Sequence, residues 1–507
     1  MKGALLVCGT HSDAGKSVVT AGICRLLARE GVRVAPFKAQ NMALNSVVTP
    51  GGGEIGRAQA MQAAAAGVEP EASMNPVLIK PSGERHSQVV VMGRPYADVD
   101  ARSYQELKHE LRPIVSEALA DLRSRFDVVV CEGAGSPAEI NLRDGDLANM
   151  GLAREHDLPV IVVADIDRGG VFASLYGTLA LLCPSDQAQV AGFILNRFRG
   201  DASILAPGLA RMEQLTGRPT LGVLPWVEGL GIDAEDSQAL DGPVRDSSAP
   251  ADQMLDVVVV RLRWISNFTD FDALAAEPGV RVRFTRSPAD VERADLLVLP
   301  GTKATVEDLE RLRDSGLDRA IQARAQAGAP ILGVCGGYQL LGELIDDEVE
   351  SRRGTVQGLG LLPVRTRFES QKLLRRRAGR CDWLGVGAAG YEIRHGRVER
   401  DGGEFLFACE DGEREGARAG NVLGTSWHGA LEHDEFRRAL LAWVAGRRKR
   451  RFIAGTSSFA EVREARLDAL GDLVAEHVDT ERLRALICDG PPADLPTIAT
   501  EVRPCVS

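Results

Sequence analysis

The sequence predicts two doubly wound α/β domains in series, followed by a helical tail. Three observations lead there. Short apolar, β-branched runs alternate with helical patterns along most of the chain, as they do in parallel sheets with crossover helices. A polar stretch at 237–254, Ser-Gln-Ala-Leu-Asp-Gly-Pro-Val-Arg-Asp-Ser-Ser-Ala-Pro-Ala-Asp-Gln-Met, breaks that alternation and reads as a linker. On each side of it, one apolar run ends in a glycine-bearing turn that carries reactive residues, at 9–17 and at 331–337. The expected division is a first domain over 1–240, a linker over 241–254, a second domain over 255–453 and a helical tail over 454–507.

In the first domain, strands are expected at 4–8, 32–37, 127–131, 159–164 and 190–195. Between the first two, Val19, Ile23, Leu26 and Leu27 recur at helical spacing over 16–30, and Gly31 is a natural stop. In the second domain, strands are expected near 256–262, 295–299 and 330–334. The tail places Phe459, Val462, Leu467, Leu470, Leu473 and Val474 among many charges, which suits an amphipathic helix capping a domain. Two arginine-rich runs, 372–380 and 447–451, read as solvated surface.

Composition narrows the function classes. A chain of 507 residues is too long for one ordinary core, and 44% hydrophobic with 26% charged residues suits a water-soluble globular protein. A net charge of −11 argues against a nucleic-acid surface, and the apolar runs are too short to cross a membrane. Nine scattered cysteines with no C-x-x-C pair argue against a zinc cage or disulfide framework. A cytoplasmic location is the expectation.

Residues 9–17, Gly-Thr-His-Ser-Asp-Ala-Gly-Lys-Ser, follow a strand and open a helix. The glycine stands at Gly9 rather than at Thr10, one place earlier than the strict phosphate-loop spacing, but strand, glycine loop, lysine, hydroxyl and helix are all there. Backbone N–H groups and the helix N-terminus attract phosphate oxygens, so Gly9, Thr10 and Gly15 are assigned to the cradle. Lys16 would neutralise the outer phosphates, and Ser17 would ligate Mg²⁺. Glu132, at the end of the strand in Asp-Val-Val-Val-Cys-Glu-Gly-Ala-Gly-Ser-Pro (127–137), is a second Mg²⁺ ligand candidate. Lys38, ending the second strand, faces the same crevice and is expected to stabilise charge on a transferring phosphoryl group. Asn196, after a further strand, is the candidate for a nucleotide base edge.

Residues 331–337, Ile-Leu-Gly-Val-Cys-Gly-Gly, place Cys335 between glycines directly after an apolar run. That pattern presents a nucleophile on a sharp strand-to-helix turn, with the Gly336 N–H free to hold an oxyanion. His428, in Ser-Trp-His-Gly (426–429), is the candidate base that activates the thiol. Gly301, in Leu-Pro-Gly-Thr-Lys (299–303), is the candidate for the second oxyanion N–H.

With these residues in hand, a resemblance can be stated. The cysteine elbow and distant histidine resemble class I glutamine amidotransferases, and the first half resembles the dethiobiotin synthetase-like P-loop ATPases. Their combination in this order resembles the cobyric acid synthase family, on Pro-Phe-Lys-Ala-Gln-Asn-Met-Ala-Leu-Asn-Ser (36–46), Gly-Gly-Glu-Ile-Gly-Arg-Ala-Gln-Ala (52–60), Met-Asn-Pro-Val-Leu-Ile-Lys-Pro (74–81), Glu-Gly-Ala-Gly-Ser-Pro-Ala-Glu-Ile-Asn-Leu (132–142), Asp-Arg-Gly-Gly-Val-Phe-Ala-Ser (167–174), Asn-Arg-Phe-Arg-Gly-Asp (196–201) and Ile-Ser-Asn-Phe-Thr-Asp-Phe-Asp (265–272). The resemblance implies a P-loop NTPase-like sheet followed by a glutamine amidotransferase-like sheet. It further implies ATP and Mg²⁺ as cofactors, glutamine and a corrinoid as substrates, and amidation of four side-chain carboxylates of adenosylcobyrinic acid a,c-diamide.

Two departures stand out. Many class I amidotransferases carry glutamate two residues after the histidine, and here that residue is Ala430, with Glu432 four residues on. A Cys–His dyad, or an acid borrowed from elsewhere, is therefore expected. The family's Tyr-Glu-Ile-His-x-Gly stretch appears as Tyr391-Glu392-Ile393-Arg394-His395-Gly396, with the histidine displaced by one. The alternatives are a related ligase such as cobyrinic acid a,c-diamide synthase and, remotely, a partition-type switch ATPase. The latter carry a second lysine where this chain has His11.

Overall fold

Each apolar run of the first half becomes a strand buried on both faces, because helices cover both sides of the sheet. The structure, a computed structural model, describes residues 1–227 and 254–498, so most of the expected linker and the end of the tail lie outside the described residues. Six strands form the first sheet, in the spatial order Thr220–Pro225, Val190–Phe198, Val160–Asp165, Gly3–Gly9, Val128–Glu132 and Val34–Phe37. Every neighbouring pair is parallel. The chain reverses its direction of travel across the sheet beside Gly3–Gly9, and the crevice at the carboxyl ends of such strands is where α/β sheets take ligands.

The second sheet runs Val280–Thr285, Leu255–Val260, Leu296–Leu299, Ile331–Val334, Val422–Thr425 and Ala417–Ala419. It is parallel apart from the last pair, which is antiparallel. Both sheets therefore match the expected class. The strands read from sequence recur within a few residues, while Thr220–Pro225, Val280–Thr285 and Val422–Thr425 were not anticipated.

Two largely antiparallel additions lie outside these sheets, Gln40–Met42 alone running parallel to its neighbour Val77–Pro81. Residues Gln40–Met42, Val77–Pro81, Ser87–Val91 and Arg94–Val99 make a four-stranded sheet beside the short ribbon Ser46–Val48 and Glu54–Gly56. In the second half, Val364–Cys381 pairs with Val386–Arg400 in a long hairpin. The arginine-rich run at 372–380 lies in this hairpin and is not simply solvated surface. The Lys372 side chain is only 3% exposed, and Arg377 is buried against Asp411 and Glu413. Strand alternation is the reason, since every second residue of a half-covered strand points inward whatever its charge.

The tail forms two helices, Phe459–His477 and Thr480–Asp489. It caps the first domain, crossing back from the second, where the Phe459 N–H is bound by Asp434 Oδ1 at 2.9 Å. Leu467, Leu470 and Val474 join Val19, Ile23 and Leu27 of the helix Lys16–Arg29 in one apolar cluster. Arg25 donates to Asp468 and Glu464 at 2.9 and 2.7 Å across the same seam. Such solvent-facing pairs contribute at most about 1 kcal/mol each, so the apolar seam dominates. Among the described residues, no helix is long and apolar enough to cross a membrane.

If the tail is structural, Leu470→Ala should destabilise the protein by about 2–5 kcal/mol, the usual range for a buried leucine truncation. Urea unfolding followed by a probe in the first domain checks this, and an unchanged midpoint would show that the tail merely rests on the surface.

Candidate active sites

The first site lies at the carboxyl end of the first sheet. The loop 9–17 leaves the strand Gly3–Gly9 and ends at Gly15, whose φ of +106° and proximity to Asn196 both demand glycine. A Cβ there would sit 1.9 Å from Asn196 Nδ2. Asn196 is thus packed on the loop, its amide donating to the Ala14 carbonyl at 3.1 Å, and this nitrogen is not held out toward a base edge as expected. The Thr10 hydroxyl is buried with no hydrogen-bond partner among the described residues, an orphan donor that a phosphate oxygen would satisfy.

Lys16, Ser17, Lys38 and Glu132 come together beneath this loop. Ser17 Oγ donates to Glu132 Oε1 at 2.8 Å, and Lys38 Nζ donates to the same oxygen at 2.9 Å. Gln62 donates to the other carboxylate oxygen. Burial opposes the charge on Glu132, but Lys38 and the hydrogen bonds outweigh it and hold the carboxyl below its usual range. Lys38 is 3% exposed, so it is a buried ion-pair partner rather than a surface lysine. Lys16 Nζ reaches the carbonyls of His11 and Gly135 at 3.0 and 3.1 Å.

The second site is built around Cys335. Its φ of +49° is unusual for a residue bearing a Cβ, and it caps the helix Gly336–Leu341. The flanking glycines are needed for space rather than for their own angles. A Cβ at Gly337 would lie 1.9 Å from the Leu299 carbonyl, and one at Gly336 would lie 2.8 Å from the Thr302 nitrogen. The 299–303 turn is therefore pressed against the elbow. Gly301 also faces the site, since a Cβ there would meet His428 Cε1 at 2.8 Å.

His428 is buried beside Cys335, and its Nδ1 is 2.7 Å from Asp270 Oδ2. The other oxygen of Asp270 accepts the Gly429 N–H at 2.9 Å. An acid is thus present as the third member of the site, supplied by the segment 265–272 instead of by position 430. Glu432 is elsewhere, bound to Arg57 at 2.5 Å. The dyad expectation gives way to the borrowed acid. Burial alone would lower the His428 pKa, but Cys335 and Asp270 reverse this and raise it to about 10. The arrangement favours the imidazolium, and a cation beside a cysteine is what activates it as a nucleophile.

The two sites are joined by buried polar contacts between the domains. Asn45 Oδ1 accepts the Phe268 N–H at 3.1 Å, and the Ser46 N–H donates to Asn267 Oδ1 at 2.8 Å. Tyr391 Oη donates to the Ser46 carbonyl, while its backbone exchanges two hydrogen bonds with His428. Glu54 binds Lys80 at 2.5 Å and Lys372 at 2.6 Å. The displaced histidine, His395, is buried in the Cys335 pocket and is 3.3 Å from Gln88 of the first domain.

Comparison with known proteins agrees with this two-part build. Residues 5–239 match the family model for CobQ/CobB/MinD/ParA nucleotide-binding domains, and residues 256–436 match the CobB/CobQ-like glutamine amidotransferase domain. A cobyric acid synthase of Frankia casuarinae is 59% identical over 523 residues, spanning 98% of this chain and 99% of its own. The chain belongs to the cobyric acid synthase family. A second member, from Streptomyces avermitilis, is 58% identical over 506 residues with the same shares covered. Membership sets aside the switch ATPase alternative, as does the presence of the cysteine site.

Asp270 lies in the 265–272 stretch, where nothing local in the sequence gives it a role. An acid so far along the chain from its histidine carries no local signal, and only the tertiary fold brings the two together. Asp270→Asn should keep the Gly429 contact but turn an amide N–H toward Nδ1, disfavouring the working tautomer. Glutaminase kcat should then fall by about 10²–10⁴-fold, in line with losing the third member of a triad. The sign of the pH effect follows from the raised His428 pKa. The imidazolium persists up to about pH 10 and is lost above it, so removing the Asp270 charge should move the alkaline limb to lower pH. A pH–rate profile with unchanged kcat and limb would show that Asp270 is only structural.

Proposed function

We propose that this protein is an ATP- and glutamine-dependent ligase that converts four side-chain carboxylates of adenosylcobyrinic acid a,c-diamide to amides, giving adenosylcobyric acid in cobalamin synthesis. The observation that carries this reading is the pairing, in one chain of this family, of the Cys335–His428–Asp270 centre with the Lys16–Ser17–Glu132–Lys38 centre.

At the cysteine centre, the Cys335 thiolate attacks the glutamine carboxamide carbon, and the Gly336 N–H and the Gly301 turn face the developing oxyanion. The C–N bond then breaks as His428 hands its proton to the leaving nitrogen, and ammonia departs from a glutamyl thioester. Water hydrolyses the thioester to glutamate, with His428 taking the water proton and Asp270 holding the ring.

At the phosphate centre, a corrinoid carboxylate oxygen attacks the terminal phosphorus of ATP, releasing ADP and leaving an acyl phosphate. Lys16 and Lys38 stabilise the charge spread over the transferring group. Ser17 Oγ and the Glu132 carboxylate, 2.8 Å apart, are a hard-oxygen pair that would hold Mg²⁺. That ion, when bound, adds positive charge at the phosphoryl oxygens. Ammonia attacks the acyl carbon, phosphate leaves, and the amide remains. Ammonia crosses the polar domain junction, because release to neutral water would convert it to unreactive ammonium.

Cys335→Ala should abolish glutamine-dependent amidation while ammonia-dependent amidation stays within about twofold of wild type, since the two centres do separate chemistry. Lys16→Ala should abolish amidation from either nitrogen source. Mass spectra of the corrinoid read both results and count the amides, where four agree with the reading and two point to the a,c-diamide synthase alternative. Loss of ammonia-dependent synthesis in folded Cys335→Ala protein would contradict the division of labour.

A further inference from the structure

Beside the phosphate site lies a cavity of about 90 Å³ that neither centre uses. Gln40, Lys108, Ser136, Leu142, Arg143 and Asn149 line it. One wall is the loop that follows Glu132, whose Gly135 carbonyl is held from the phosphate side by Lys16. Asn149 braces the same loop, donating to the Ala134 carbonyl at 2.7 Å and accepting its N–H at 3.2 Å. Neither Lys16 nor Lys38 lines the cavity.

The charges around the cavity are committed, with one exception. Arg143 makes a two-pronged contact with Asp186 at 2.7 and 2.8 Å. Asp146 accepts the backbone N–H groups of Ala148, Asn149 and Gly151. Glu139 is exposed to water. Lys108, on the helix Ala101–Arg125, is only 7% exposed and has no hydrogen-bond or ion-pair partner among the described residues. Its ammonium lies 5.6 Å from the centre of the Tyr104 ring, one helical turn earlier, and Tyr104 in turn donates to Gln40. Burial lowers the Lys108 pKa, which the more distant Asp146 charge only partly offsets. A buried cation without a counter-ion is costly, and the cost is relieved when an anion enters.

Exposed apolar side chains adjoin the lining, which also holds the charged Glu139 and Arg143. Ile140 and Leu142 are 58% and 43% exposed, and Met42, 56% exposed, shares a strand face with Gln40. Large apolar side chains grouped in the open around a polar pocket mark a ligand surface.

We propose that Lys108 is the counter-ion for a non-reacting side-chain carboxylate of the corrinoid, seated in this cavity while the macrocycle lies on Met42, Ile140 and Leu142. A liquid water occupies about 30 Å³, so the cavity has room for a carboxylate but not for the ring, which must remain at the rim. The loop 133–137 separates Lys108 from the phosphate lysines, so a carboxylate held here is anchored and not phosphorylated. A substrate bearing several carboxylates can thus keep one anchored while another is presented to ATP. The assignment rests on the corrinoid reading of function.

The test is steady-state kinetics of ammonia-dependent amidation with adenosylcobyrinic acid a,c-diamide in Lys108→Met and Lys108→Arg proteins. Methionine keeps the apolar stem against Tyr104 and removes the charge. The corrinoid KM should rise at least about tenfold in Lys108→Met, or 1.4 kcal/mol, and return most of the way in Lys108→Arg. An unchanged corrinoid KM overturns the proposal. So does a rise confined to the ATP KM, which would assign the cavity to the nucleotide. If the wild-type protein does not amidate the corrinoid at all, the functional reading fails and the anchoring role falls with it.

Discussion

Glu54, a carboxylate with no access to water, sits where the two domains meet. It is clasped by Lys80 from its own domain and by Lys372 from the other. Burial works against its charge, yet the two ammonium groups outweigh that effect and keep the carboxyl ionised. Removing either partner would leave uncompensated buried charge, which typically costs several kcal/mol. The triplet therefore fixes how the domains face each other, and the Cys335 pocket opens directly onto Lys80 and Lys372. The Lys372 pKa falls to about 8 because burial and the neighbouring cations Lys80 and Lys303 outweigh the pull of Glu54. A junction with this balance is unfavourable for an extra cation and leaves neutral ammonia unopposed.

The same interface supports the proposed glutaminase triad. Asp270 belongs to a segment whose backbone and side chains are held by Asn45 and Ser46 of the first domain. His428 is braced by Tyr391, which also reaches Ser46, and Glu432 just beyond it is tied to Arg57. The ribbon 46–56 thus contacts the segments carrying both the acid and the base of the other half. Stabilising those segments from across the interface makes the two centres one mechanical unit. The tail extends that unit, since Arg463 approaches Glu432 at 3.5 Å while the same helix, Phe459–His477, packs on the phosphate-loop helix.

Much of the fold was legible because its signals are local. Apolar runs such as Val128–Cys131 and Ile331–Val334, each ending at a turn with reactive residues, reveal both strand and site in a few positions. The reasons were not always right. Glycines around a turn suggest special backbone angles, but beside Cys335 the cysteine itself takes the positive φ and the glycines make room for the 299–303 turn. Long-range pairings were not legible. Asp270 meets His428 across 158 residues, and Lys372 meets Glu54 across 318. No periodicity marks a buried lysine inside an arginine-rich strand, because charge alone does not say which face the strand covers. Asn196 shows the same limit, as its use in bracing the phosphate loop depends on the neighbouring strand's register.

The central claim is that nitrogen passes from Cys335 to the acyl phosphate inside the molecule. Amidation with glutamine labelled with ¹⁵N at the amide, in a large excess of unlabelled ammonium, measures this directly. Internal transfer predicts corrinoid amides enriched in ¹⁵N well beyond the isotopic composition of the bulk ammonium. Amides whose label matches that bulk composition would mean that ammonia is released to solvent, and would contradict it.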